Sequence, residues 1–212
     1  MPSLRSVYLF LYNSVLCYGW CYILYQAVVS WISGWAPAGL WEVVEIPLKV
    51  FQTAALLEIF HSLFGIVRAP LLTSALTRYE KGLRIGGLSL PFNFQSMLVA
   101  WGLSEAIRYS FFSVKESRTP PYWLTWLRFS AFLVLYPMGV ASEMALVRLA
   151  YPAISEQRIF CFDMPNRLNF GLDYPVCCLL LTALYLPGLP FLFTHMLKQR
   201  SKILGKTALK QA

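Results

Sequence analysis

The stretch Leu135-Tyr136-Pro137-Met138-Gly139-Val140-Ala141-Ser142-Glu143 sets a phenol and a carboxylate seven residues apart in an otherwise apolar run. In a helix this separation is two turns, so both side chains leave one face, with Cα atoms about 10 Å apart along the axis. Helical side chains lean toward the N-terminus, which brings Glu143 back toward Tyr136. Pro137 removes a backbone donor and presses on the carbonyl of Leu133, while Gly139 leaves the backbone bare between the pair. A carboxylate, with an ordinary pKa of about 4.3, can take a proton at neutral pH; a phenol, at about 10, keeps its proton and can donate it. The pair could line a pocket for proton transfer. The same residues also fit an interfacial tyrosine and a glutamate at a helix end, and spacing by itself does not separate the two.

Other polar residues in apolar surroundings are weaker candidates. Glu105 and Arg108, at i and i+3, can neutralise each other, and Arg108 has donors to spare for an anionic or carbonyl group. Glu58 and His61 share that spacing. A helix-packing hydrogen bond explains them better than a metal, since the one other histidine is His195. His61-Ser62 with Arg68 imitates the His-Cys-x5-Arg loop of tyrosine phosphatases, but that chemistry needs a thiolate where Ser62 stands, so no phosphatase activity is expected. The five cysteines (Cys17, Cys21, Cys161, Cys177, Cys178) show no zinc spacing and no disulfide framework.

The elements that must position these groups are membrane helices. Hydrophobic residues make up 58% of the 212 and charged residues 13%, too little polar surface to coat a water-soluble globule. Helical runs of about 20 apolar residues cross a bilayer core. Five qualify: Val7–Ile32, Leu48–Val67, Phe92–Ser113, Tyr122–Ala141 and Tyr174–Met196. Arg78, Glu80, Lys81 and Arg84 interrupt a sixth, Ala69–Leu90, which reads as a marginal span or a surface helix. Gly34–Pro47 reads as an interfacial loop, and Ser142–Asp173 as mainly loop, opening with an extension of the preceding helix. The net charge of +8 does not form a nucleic-acid stripe, because five of the 18 Lys and Arg fall in the last fifteen residues. The fold expected is an all-α polytopic bundle, one membrane domain over residues 1–212, with a basic cytosolic tail at 197–212.

Several motifs, in order along nearly the whole chain, carry a resemblance. They are Tyr136-Pro-Met-Gly139-x-x-x-Glu143 after Trp126-Leu127-Arg128-Phe129; Tyr8-Leu9-Phe10-Leu11-Tyr12-Asn13 with Gly19-Trp20; Leu57-Glu58-Ile59-x-His61; Glu105-x-Ile107-Arg108-Tyr109; Pro165-Asn166-Arg167-x-Asn169-Phe170 with Asp173-Tyr174; and His195-Met196-x-x-Gln199-Arg200. The chain resembles the very-long-chain (3R)-3-hydroxyacyl-CoA dehydratases of fatty-acid elongation, the protein tyrosine phosphatase-like proteins that include PASTICCINO2. The resemblance implies six spans in the endoplasmic reticulum membrane and removal of water from a (3R)-3-hydroxyacyl-CoA to give the trans-2-enoyl-CoA, the third step of the elongation cycle. It puts the catalytic Tyr and Glu on Tyr136 and Glu143. One departure stands in the third span, where the family's Gln precedes an Arg by four residues; Arg78 fits the Arg, and Ser74 occupies the Gln position.

Elimination from a 3-hydroxy thioester needs a base for the proton on the carbon next to the thioester and an acid for the departing hydroxyl. Glu143 suits the first role and Tyr136 the second, with the reverse assignment open. Arg108 and Arg78 could stabilise the enolate-like oxygen or be structural, and Glu58 and Gly139 could line the site or only shape it. The resemblance implies no metal or other cofactor. The partners it implies are the long-chain 3-hydroxyacyl-CoA, the lipid bilayer and other elongation enzymes, without nucleic acid. An inert membrane scaffold for those enzymes is the competing class, and retention of both Tyr136 and Glu143 counts against it. A transporter would also carry intramembrane charges, but no internal repeat is visible.

Overall fold

The computed structural model describes residues 4–34, 37–63, 92–156 and 173–209, with single positions between 157 and 172. These residues are mostly helical, without strands among them. Helix α1 covers Leu4–Ile32 and α2 Pro37–Leu63; α3 covers Phe92–Ser117, α4 Tyr122–Ser130, α5 Phe132–Glu156 and α6 Tyr174–Leu209.

Helix α1 buries Leu9, Asn13, Leu16, Trp20, Ile23, Ala27 and Ser30, a single stripe at helical spacing. Its other faces expose Leu11, Val15, Tyr18 and Tyr25, which suit lipid rather than water. The stripe packs along α3 through small and polar groups: Ser14 on Ser113 (2.8 Å), Cys17 on Ser110 (3.1 Å) and Gln95 on Ser30 (3.1 Å). Gly102 lets the α1 backbone come close, since a Cβ there would stand 3.3 Å from the Leu24 Cα. Gly34, at φ +64°, ends the first helix in the left-handed conformation that glycine adopts freely.

One expected loop proves largely helical, and a second opens with the helical extension expected of it, as far as Glu156. The interfacial loop expected over Gly34–Pro47 gives way to helix at Pro37, a residue pre-set for the first helical turn, and Leu40, Trp41, Val44 and Leu48 then bury one face. Pro47 lies within α2 and costs it one backbone bond without ending it. Beyond Ala141, α5 continues to Glu156, because Ser142, Leu146, Ala150 and Ile154 keep a buried stripe at four-residue intervals while Arg148 and Glu156 stay exposed. The span expected at Tyr122–Ala141 is divided only by a turn at Ala131, whose backbone remains helical and whose amide donates to Leu127 O (2.9 Å). Helix α6 opens on Asp173, which accepts the Val176 N–H (3.2 Å), and runs on into the basic tail as far as Leu209.

Three helices are long and apolar enough to cross a membrane among the described residues: Leu4–Ile32, Tyr122–Glu156 taken as one, and Tyr174–Gly205. Contacts fix the directions. Ser6 reaches the Glu116 carbonyl (3.0 Å) at one end of the α1–α3 seam and Ser30 meets Gln95 at the other, so the two run antiparallel. Helix α2 returns along α1, from Trp41 beside Phe94 to Ala54, whose carbonyl accepts the Tyr12 hydroxyl (2.9 Å). Helix α6 runs against α4 and α5, with Tyr185 at Glu143, Phe193 at Phe132 and Arg200 donating to Ser130 (3.0 Å). The start of α1 and the ends of α3 and α6 therefore lie together, at a basic end that carries Arg5, Lys115, Lys198, Arg200 and Lys202. Helix α2 ends there too, whereas α3 begins at the opposite end.

Candidate active site

Where α3, α5 and α6 meet, the register of α5 on α3 is pinned by a hydrogen bond between the buried hydroxyls of Ser96 and Ser142 (2.7 Å). Three residues earlier on α5, Gly139 is buried against α3. A Cβ on it would meet Ala100 at 3.7 Å and Trp101 at 3.9 Å, ordinary contact distances. An added methyl would fit within this approach of α3 and α5, so the glycine does not set it, and it carries no chemistry of its own.

That approach brings Trp101 onto Glu143, its indole N–H donating to Oε1 (2.8 Å). From the other side the Tyr185 hydroxyl of α6 donates to Oε2 (2.9 Å). Both oxygens of the carboxylate thus accept a hydrogen bond, each from a different helix. Eight residues along α6 from Tyr185, Phe193 stacks on the Tyr136 ring, with centroids 6.2 Å apart and planes 26° apart, and takes Phe132 edge-on at 5.6 Å. Tyr136 and Glu143 occupy one face of α5, as their spacing implies.

The Tyr136 hydroxyl differs from its neighbours. Its oxygen is buried and has no hydrogen-bond partner among the described residues. A buried hydroxyl left unsatisfied costs about 1–3 kcal/mol, a cost that an oxygen of a bound molecule would offset. A phenol with a free donor and a carboxylate two turns away can do acid–base work on a molecule lying between α5 and α6.

Of the other expected residues, Arg108 falls outside this centre. Arg108 pairs with Glu105 (2.7 Å), donates to the Tyr109 hydroxyl (2.6 Å) and lies over that ring at 4.5 Å. Two turns separate it from Trp101, about 10 Å toward the basic end. Its guanidinium is held by its own helix. Glu58 falls on α2, but its side chain, like those of His61 and Ser62, lies outside the described residues, as do Arg68 and Arg78 entirely.

Trp101 and Tyr185 were not among the expected site residues. A phenol in the apolar run of α6 was the available signal for Tyr185, since a polar group at membrane depth needs a partner. Trp101 offered none, because an indole in a membrane helix is unremarkable in sequence.

The family model described as protein tyrosine phosphatase-like protein, PTPLA, matches residues 52–206. Among curated relatives, the very-long-chain (3R)-3-hydroxyacyl-CoA dehydratase PASTICCINO 2B of Oryza sativa subsp. japonica is 40% identical over 215 residues, covering 96% of this chain and 96% of its own. The dehydratase PASTICCINO 2 of Arabidopsis thaliana is 39% identical over 98% of this chain and 97% of its own. The very-long-chain (3R)-3-hydroxyacyl-CoA dehydratase 2 of Homo sapiens is 36% identical over 96% of this chain and 83% of its own. No solved structure matches.

Proposed function

The chain belongs to the protein tyrosine phosphatase-like family, PTPLA, and from that premise we propose that it is a hydro-lyase converting long-chain (3R)-3-hydroxyacyl-CoA to trans-2-enoyl-CoA in fatty-acid elongation. The observation that carries the site assignment is the buried Tyr136 hydroxyl, without a described partner, on the helix face it shares with Glu143. Glu143 takes the proton from C2 of the substrate. The C2–H electron pair becomes the C2–C3 double bond, the C3–O bond breaks, and the hydroxyl leaves as water with the Tyr136 proton. The step leaves a protonated Glu143 and a Tyr136 phenolate, and passage of the Glu143 proton to Tyr136, directly or through the released water, restores both groups. The acyl tail of that substrate would lie against apolar side chains of α5 and α6, without a polar penalty.

The decisive experiment is turnover of a long-chain (3R)-3-hydroxyacyl-CoA by purified, monodisperse protein. Formation of the trans-2-enoyl-CoA is expected; none from folded protein would leave the inert-scaffold reading.

The proposal places the enzyme in the endoplasmic reticulum membrane beside other elongation enzymes, with six crossings, the segment 69–90 counted as one. Helix α2 ending at the basic end and α3 starting at the opposite end supports that count. The basic end then faces the cytosol. Engineered glycosylation tags at the two termini are expected to stay unmodified together, and modification of only one would refute the arrangement.

A further inference from the structure

Glu143 is gripped at both oxygens, but the two donors are not equivalent. An indole N–H can only donate, whereas a phenol hydroxyl can donate or accept. Trp101 on Oε1 therefore requires that oxygen to remain an acceptor whether or not the carboxyl carries a proton. Tyr185 on Oε2 imposes no such requirement, since turning its O–H lets it accept from a protonated Oε2.

From this asymmetry we infer that Trp101 and Tyr185 are positioning residues with separate tasks: Trp101 fixes the plane of the carboxylate, and Tyr185 makes Oε2 the oxygen that takes the substrate proton. The inference rests on the dehydratase reading. In the step itself, the C2 proton passes to Oε2 and the C–H electron pair goes into the new double bond. The Tyr185 hydroxyl rotates from donor to acceptor with no net transfer of its own proton. The carboxylate is carried by α5, Trp101 by α3 and Tyr185 by α6, so the arrangement exists only when all three helices are docked. Neither positioning residue need touch the substrate, and their removal should act on the proton transfer rather than on binding.

The test is steady-state kinetics of Tyr185→Phe and Trp101→Phe with a substrate carrying hydrogen or deuterium at C2. Each is expected to lower kcat about 10- to 100-fold with KM within about twofold of the parent, in line with the cost of losing orientation around a reacting group. The deuterium effect on kcat should rise in Tyr185→Phe, because proton abstraction becomes slower relative to the other steps; general packing damage would not raise it. On the residual rate of Glu143→Gln, adding Tyr185→Phe should cost little more, since the group it serves is already gone. Near-normal kcat in Tyr185→Phe, a loss expressed as raised KM, or a full further loss on the Glu143→Gln background would each overturn the inference. If Glu143→Gln itself turned over normally, the catalytic reading would fall instead.

Discussion

Glu143→Gln is expected to lower turnover of a long-chain (3R)-3-hydroxyacyl-CoA by about 100- to 10,000-fold, the usual cost of losing a positioned general base. Protein yield and melting temperature should change little. The amide has the volume of the carboxylate, so packing is preserved. Its hydrogen bonds are preserved as well: the Gln oxygen can accept the Trp101 N–H now on Oε1, and the Gln NH2 can donate to a Tyr185 hydroxyl turned to accept. The variant therefore removes basicity and spares the clamp. The check is turnover by purified variant, normalised to monodisperse protein. Near-normal turnover would show that Glu143 is not the base.

Tyr136→Phe should separate activity from stability in a more unusual way. Its hydroxyl has no described partner, so removing it breaks no hydrogen bond among the described residues and relieves a buried group unsatisfied there, while the stacking on Phe193 survives. The melting temperature in detergent is expected to hold or rise, by an amount consistent with up to about 1 kcal/mol. Turnover should fall by about 100-fold or more as the proton donor to the leaving hydroxyl is lost. A clear drop in melting temperature would reveal a structural partner for the hydroxyl, and retained turnover would move the acid elsewhere.

Much of this protein was legible in the chain because the relevant physics is local. A composition too apolar for water, runs long enough to span a bilayer and a seven-residue spacing sufficed to place Tyr136 and Glu143 on one face of a membrane helix, and the motif order along the chain matched the family found by comparison. Boundaries were less legible. Gly, Pro and charge around Gly34–Pro47 and beyond Ala141 resemble loop composition, yet a buried stripe of one residue in four is enough to hold helix there.

The surroundings of Glu143 were decided by tertiary structure alone. Trp101 and Tyr185 each lie 42 residues from it, on helices whose directions and registers are set by contacts such as Ser96 with Ser142 and Phe193 with Tyr136. No helical period relates residues so far apart. Likewise, Glu105 and Arg108 advertised their pairing by spacing, but that Arg108 sits two turns above the carboxylate rather than against it follows only from how α3 docks on α5. A helix's own sequence determines which side chains share a face; which groups that face meets depends on the neighbouring helices, and at Glu143 those groups are the two donors that hold the carboxylate in place.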